Sequence, residues 1–207
     1  MDTGLMVTPE QLIKLEAKFA PKVEKGPSAF SPLERERSCA HNLGGDKMAA
    51  DRNGYAEFYS WLTGKIDPDT VVELGVFRGS SLAVWDAVWP GVQLLGLDLE
   101  LGRYDKNLPL LLERGAFPGL LPEVRTFDAY KPDTETITGV LSSVDVFVDD
   151  GPHTRSAIQA CLSAVGPLVR QAYVIEDFVG TGGMLREQFP GWEVREQGRI
   201  AAAVRID

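Results

Sequence analysis

The chain has 207 residues, 44% apolar and 25% charged, which fits one globular domain with its own core and excludes a disordered polymer. A net charge of −9 and a pI near 4.8 exclude the basic face that a nucleic-acid partner needs. Cys39 and Cys161 form no CxxC pair, no apolar run approaches the roughly 18 residues of a membrane span, and Met1–Gly4 lacks the basic and apolar regions of a signal peptide. No disulfide framework and no membrane contact are expected, and the cytoplasm is the expected location.

In chain order, Thr8-Pro9-Glu10-Gln11 reads as a helix start, with Thr8 at the N-cap, Pro9 at the first helical position and Gln11 completing a capping box. Leu12, Ile13, Leu15 and Phe19 give that helix an apolar face, and Pro21 ends it. A polar connector over residues 25–38 and a glycine-rich loop, His41-Asn42-Leu43-Gly44-Gly45-Asp46-Lys47, follow. His41 is read as structural. Tyr55, Phe58, Tyr59 and Leu62 recur at helical spacing and are read as core. Residues 1–65 are therefore expected to form a helical extension over a second unit, 66–207.

From residue 70 short apolar runs alternate with helical segments. Val71–Val76, Val92–Asp98, Val124–Asp128, Val144–Asp149 and Ala172–Asp177 read as strands. Helices are expected after the first four, the second of them weakened by Pro109. Trp192–Glu196 and Ile200–Ile206 read as a hairpin around Gln197-Gly198-Arg199. The fold class that follows is α/β: a doubly wound, Rossmann-like, mainly parallel seven-stranded sheet with an antiparallel C-terminal hairpin and an N-terminal helical extension. Each of the five parallel strands delivers an acid at or near its carboxyl end: Glu73, Asp98, Asp128, Asp149/Asp150 and Glu176/Asp177. In open α/β sheets that is the side on which ligands bind.

Several stretches carry chemistry. Glu73-Leu74-Gly75-Val76-Phe77-Arg78-Gly79-Ser80-Ser81 is a glycine-rich strand-to-helix turn, where backbone can approach a ligand and a helix N-terminus offers free N–H groups. It is neither GxGxxG nor a phosphate loop, since no lysine follows. Asp98 stands about 25 residues beyond Glu73, near the ~20-residue offset at which an acid grips ribose hydroxyls. Asp128 could take an adenine amine, though a turn cap is the plainer reading. Asp149-Asp150-Gly151-Pro152-His153 could hold a hard cation beside a general base, or the aspartates could merely cap the next helix.

Taken in order, Glu-Leu-Gly-Val-Phe-x-Gly-x-Ser, the acid at Asp98, Asp-Asp-Gly-x-His and Tyr-Val-Ile-Glu-Asp resemble the class I S-adenosylmethionine-dependent methyltransferases. The resemblance is to the metal-dependent branch with macrolide-sugar O-methyltransferases and cephalosporin-hydroxylase-like proteins. It covers residues 40–178, including Leu43–Lys47 and Tyr55. It implies Mg²⁺ or a similar ion on Asp150, Glu176 and Asp177, with Asp150 and His153 catalytic and His153 the general base. It also implies S-adenosylmethionine held by Glu73, Gly75, Gly79 and Ser81 at the methionine part, Asp98 at the ribose and Asp128 at the adenine. Asp149 would face the cofactor or orient Asp150. The implied activity is methyl transfer to a hydroxyl of a small molecule, with a sugar diol of a glycosylated natural product first and a catechol second, by a homo-oligomer. Two departures stand out: Pro152 replaces the branch's common serine, and Phe178–Gly183 matches no substrate-binding pattern and could be a mobile lid. Two alternatives stay open, a metal-dependent hydroxylase on the same scaffold and a non-catalytic cofactor-binding module.

Overall fold

The computed structural model describes residues 6–20, 47–48 and 54–206. His41, Cys39 and the 43–46 part of the glycine-rich loop lie outside the described residues. Helix α1 (Pro9–Phe19) begins as its sequence requires: Thr8 Oγ1 accepts from Gln11 N at 3.3 Å and Gln11 Oε1 accepts from Thr8 N at 2.8 Å. Helix α2 (Ala56–Thr63) follows. Then come β1 (Thr70–Leu74), α3 (Ser80–Val88), β2 (Gln93–Asp98), α4 (Gly102–Glu113), β3 (Glu123–Thr126), α5 (Glu135–Thr138) and β4 (Val144–Asp149). Helix α6 (Arg155–Val165), a 3₁₀ turn (Gly166–Leu168), β5 (Val169–Ile175), α7 (Gly182–Gln188), β6 (Glu193–Gln197) and β7 (Ile200–Val204) complete the chain.

The seven strands form one sheet in the order β3-β2-β1-β4-β5-β7-β6. The first five run parallel, and β7 is antiparallel to both β5 and β6. The chain winds outward from β1 to β3, then crosses back to β4, so the topology reverses between β1 and β4. That reversal leaves a crevice at the carboxyl ends of the two strands.

Alternation along each strand divides the core in two. Val71, Val146, Val148, Ala172 and Val174 face a cluster that also takes Leu12 and Phe19 of α1, Tyr59 and Leu62 of α2, Trp85 of α3 and Leu111 of α4. Val72, Leu74, Phe147, Tyr173 and Ile175 face the other way, onto Ile137 of α5, Ile158, Cys161 and Leu162 of α6 and Leu185 of α7. Both faces of the sheet are covered, which is why β1 and β4 are buried at every position.

The structure differs from expectation in three places. β3 stops at Thr126, so Asp128 lies beyond the strand rather than ending it. Pro109 sits inside α4 without ending it, because Tyr104, Asn107 and Leu111 bury one continuous face. The glycine-rich segment after β5 leads into a helix: Gly182 and Gly183 open α7, which Leu185 anchors in the core. Gly180 N donates to Glu196 Oε1 at 2.9 Å, and a Cβ at Gly182 would meet Glu196 Oε2 at 2.5 Å. Phe178–Gly183 is thereby pinned to β6 in this structure.

Candidate active site

Strand register builds the site. Leu74 lies level with Asp149, and Asp149 with Ile175. The next residues, Gly75, Asp150 and Glu176, therefore leave the sheet side by side. Backbone bonds fix this row: Gly75 N to Leu97 O at 2.7 Å, Asp150 N to Leu74 O at 2.9 Å and Glu176 N to Asp149 O at 3.0 Å. Gly75 has φ +96°, and a Cβ there would sit 2.0 Å from Asp150 O. Only glycine lets the first turn lie this close to the fourth.

Around that row the acids separate by environment. Glu73, fully buried within β1, receives Ser81 Oγ at 2.8 Å and Lys47 Nζ at 3.2 Å. Lys47 Nζ also lies 3.1 Å from Asp150 Oδ2 and 3.2 Å from Glu176 Oε2. The second oxygen of Glu176 accepts from the Tyr59 hydroxyl. Asp177 Oδ1 accepts from Tyr55 Oη at 2.8 Å and lies 3.5 Å from Arg199 Nε, a side chain carried by the β6–β7 turn. His153 Nε2 is 3.7 Å from Asp150 Oδ1. His153 and Asp177 both adopt left-handed backbone, with φ +50° and +53°.

The electrostatics follow from burial. Desolvation works to strip the Lys47 proton, but Asp150, Glu176 and Glu73 together outweigh it and hold the ammonium well above its usual pKa. Burial pushes Glu73 and Glu176 upward, and Lys47 offsets this only in part because three carboxylates share one ammonium. Burial first, then Glu176, keeps the Tyr59 phenol protonated, and burial with the Asp177 bond does so for Tyr55. Asp149 is sealed against Tyr173, whose hydroxyl lies 3.3 Å from Asp149 Oδ2, and burial pushes its pKa up to about 7.

Glu73, Gly75, Asp149, Asp150, His153, Glu176 and Asp177 thus come together, with Gly79 and Ser81 in the turn behind them. Asp98 borders the turn, accepting from Phe77 N at 2.8 Å and Glu100 N at 3.1 Å. Asp128 stands apart, holding Tyr130 N at 2.9 Å in the turn-cap arrangement. Neither Asp149 nor Asp150 caps α6. Thr154 does, through its bond from Ala157 N at 3.3 Å. Pro152 is exposed between them, on a trans peptide bond.

Four contributors had no site role assigned from sequence. Tyr59 was read as core, Tyr55 as core and as part of the stretch that carries the resemblance, Lys47 only as the end of the glycine-rich loop in that stretch, and Arg199 as a turn residue. A tyrosine at a buried helical position needs a partner for its hydroxyl, and that was the available signal for the first two.

Two groups fit this rim. The turn from Gly75 to Gly79 brings backbone at φ +96°, +49° and +76° (Gly75, Phe77, Gly79) to the start of α3, where buried Ser80 Oγ has no partner among the described residues. Such a turn at a helix start could receive a carboxylate or a phosphate. One donor atom each from Asp150, His153 and Asp177 lie within 4.8 Å of one another, a spacing that can close around a metal ion. Two surface depressions, one of about 280 Å³ beside Asp69, Trp89 and Val92 and one of about 330 Å³ beside Asp86, Val92 and Pro118, open away from this chemistry.

No family model matches the chain, and no curated protein matches it. Solved structures do. A provisionally assigned O-methyltransferase from Nostoc punctiforme superposes with a TM-score of 0.55 over 95% of this chain and 68% of its own, at 11% identity. A protein from Bordetella parapertussis, provisionally described as exported, gives 0.52 over 98% of this chain and 80% of its own, at 18% identity. At such identities the likeness is one of fold alone. The chain has a Rossmann-like fold shared with methyltransferases, its candidate site at the crevice where the strand order reverses.

Proposed function

We propose that the protein is an S-adenosylmethionine-dependent, divalent-metal-dependent O-methyltransferase for a small hydroxylated acceptor, a sugar diol of a glycosylated natural product before a catechol. The observation that carries this reading is the convergence of Asp150, His153 and Asp177 beside the Gly75 turn. Glu73, Gly75, Gly79, Ser81, Asp98, Asp128 and Asp149 would hold the cofactor. Asp150 and Asp177, with Glu176 on the same rim, would hold a Mg²⁺-type ion, a hard cation suited to carboxylates. When bound, the cofactor supplies an electrophilic methyl group, and the ion supplies acidity and direction to an acceptor hydroxyl.

The chain's own residues do the rest. The Gly75–Ser81 turn fixes the cofactor's amino-acid end against the Asp150 loop. His153 Nε2 takes the hydroxyl proton, and the adjacent Asp150 carboxylate stabilises the imidazolium that results. Positioning contributes on the order of 7 kcal/mol or more. A single base adds about 10²–10⁴-fold, or ~3–5 kcal/mol. Asp150→Ala is therefore expected to harm transfer at least as much as His153→Ala.

Calorimetry with S-adenosylhomocysteine and with Mn²⁺, then methyl transfer to panels of glycosylated polyols and catechols with and without chelator, tests the reading. Absence of cofactor binding would sink it, as would transfer by Asp150→Ala at near-normal rate in metal-free buffer. Binding without transfer to any acceptor points to the non-catalytic module. Because the clustered donors include an imidazole, iron- and O₂-dependent hydroxylation belongs in the same panel, although such sites ordinarily use two histidines. The reading carries with it a cytoplasmic homo-oligomer, which fractionation and light scattering check.

A further inference from the structure

The site contains a cation of its own. Lys47 Nζ lies within 3.2 Å of carboxylates from three successive parallel strands in space: Glu73 in β1, Asp150 after β4 and Glu176 after β5. It is delivered from outside the sheet. The two oxygens of Glu16 in α1 accept from Lys47 N and Met48 N, each at 3.0 Å, while the Met48 side chain is buried in the core. The backbone that carries Lys47 is thus clamped, and its ammonium is aimed inward.

The oxygens are divided accordingly. Glu176 has one oxygen on Lys47 and the other on Tyr59, and is 1% exposed. Asp150 turns Oδ2 to Lys47 and Oδ1 toward His153. Asp150 and Asp177 keep 21% and 27% of their side-chain surface open to solvent. A dication placed on Glu176 would share its two oxygens with Tyr59 and Lys47 and lie against a buried ammonium.

We propose that Lys47 is a positioning residue that partitions the acid cluster. Glu176 and one oxygen of Asp150 serve the ammonium, and the divalent ion is confined to Asp150 Oδ1 and Asp177 beside His153. This rests on the metal-dependent reading above. It makes Glu176 an internal counter-ion while Lys47 is seated, and a ligand only when Lys47 is removed.

Mn²⁺ affinity of the full-length protein, read by calorimetry and by the paramagnetic signal of free Mn²⁺, tests this in a double-mutant design. With Lys47 present, Asp177→Asn is expected to weaken binding by about tenfold or more and Glu176→Gln by less than about threefold. In a Lys47→Met background, binding tightens and Glu176→Gln costs about tenfold or more. Should Lys47→Met fail to fold by circular dichroism, Glu16→Gln takes its place. It keeps Lys47 and every ligand but loosens the clamp, and it should raise the cost of Glu176→Gln above its value in the native background. The proposal is overturned if Glu176→Gln costs the same whether or not Lys47 is seated. Failure of the native protein to bind Mn²⁺ at all overturns the metal-dependent reading itself.

Discussion

Asp149 is a carboxylic acid almost sealed from water, and its pKa of about 7 stands against 3.8 for a free side chain. Between those values the folded chain binds the more protons. The stability this residue contributes is full below the unfolded value and is lost as pH rises through about 7. At ~1.4 kcal/mol per pKa unit the change amounts to a few kcal/mol. Asp149→Asn, which cannot ionise, should therefore gain on the native chain by about that amount between pH ~4 and ~7, with the difference flattening above that. Urea unfolding in chelator-containing buffer measures it, and a difference flat with pH would refute it. The same residue illustrates what sequence could say at this scale. Two adjacent aspartates were visible, but which of them faces Tyr173 and which faces Lys47 depends on strand parity and on helices far away in the chain. Lys47 was visible only as the end of a glycine-rich loop, without a role, because the three carboxylates it meets are brought to it only by the sheet.

At the scale of elements, β1, β2, β4 and β5 were legible because both faces of the sheet are buried there, so each reads as a short apolar run with an acid at or just past its end. The edge strand β3, Glu-Val-Arg-Thr, is partly exposed and has only Val124 to mark it. Helix α7 was not legible. Gly182 and Gly183 have poor helix propensity, and the helix has no side-chain cap. What holds it is tertiary: burial of Leu185 and Phe189, and the contact of Gly182 with Glu196. The element joint most open to test lies at the other end of the strands. Asp145, at the start of β4, accepts through Oδ2 from Asp69 N at 2.9 Å and Thr70 N at 3.1 Å, and so stitches β4 to the start of β1. Asp145→Ala leaves those donors without their acceptor and should destabilise the fold by ~2–4 kcal/mol, as bonds to a charged group are worth ~1.5–3 kcal/mol each. The denaturation midpoint reports this. Cofactor and ion affinities of the folded fraction should stay as they are, since the stitch is remote from the rim. A shift under ~0.5 kcal/mol would show that water replaces the carboxylate without loss.

For the whole molecule, the expected division at residue 65 meets a continuous core. Leu12, Phe19, Tyr59 and Leu62 pack in one cluster with Val71, Trp85 and Val146 of the sheet unit. A fragment spanning 66–207 would expose that face, and it is expected to bind hydrophobic dye and to unfold without a cooperative transition. A sharp calorimetric peak from the fragment would instead establish the boundary as a true one. The rim as a whole also bears a cost: three non-glycine residues in left-handed backbone, Phe77, His153 and Asp177, follow β1, β4 and β5. Such a conformation costs a side-chain-bearing residue about 1–2 kcal/mol. A population of variants selected only for heat tolerance should therefore drift toward glycine at position 153. His153→Gly should melt at a higher temperature than the native chain while losing the proposed methyl transfer, so blind selection for robustness would erode that chemistry first.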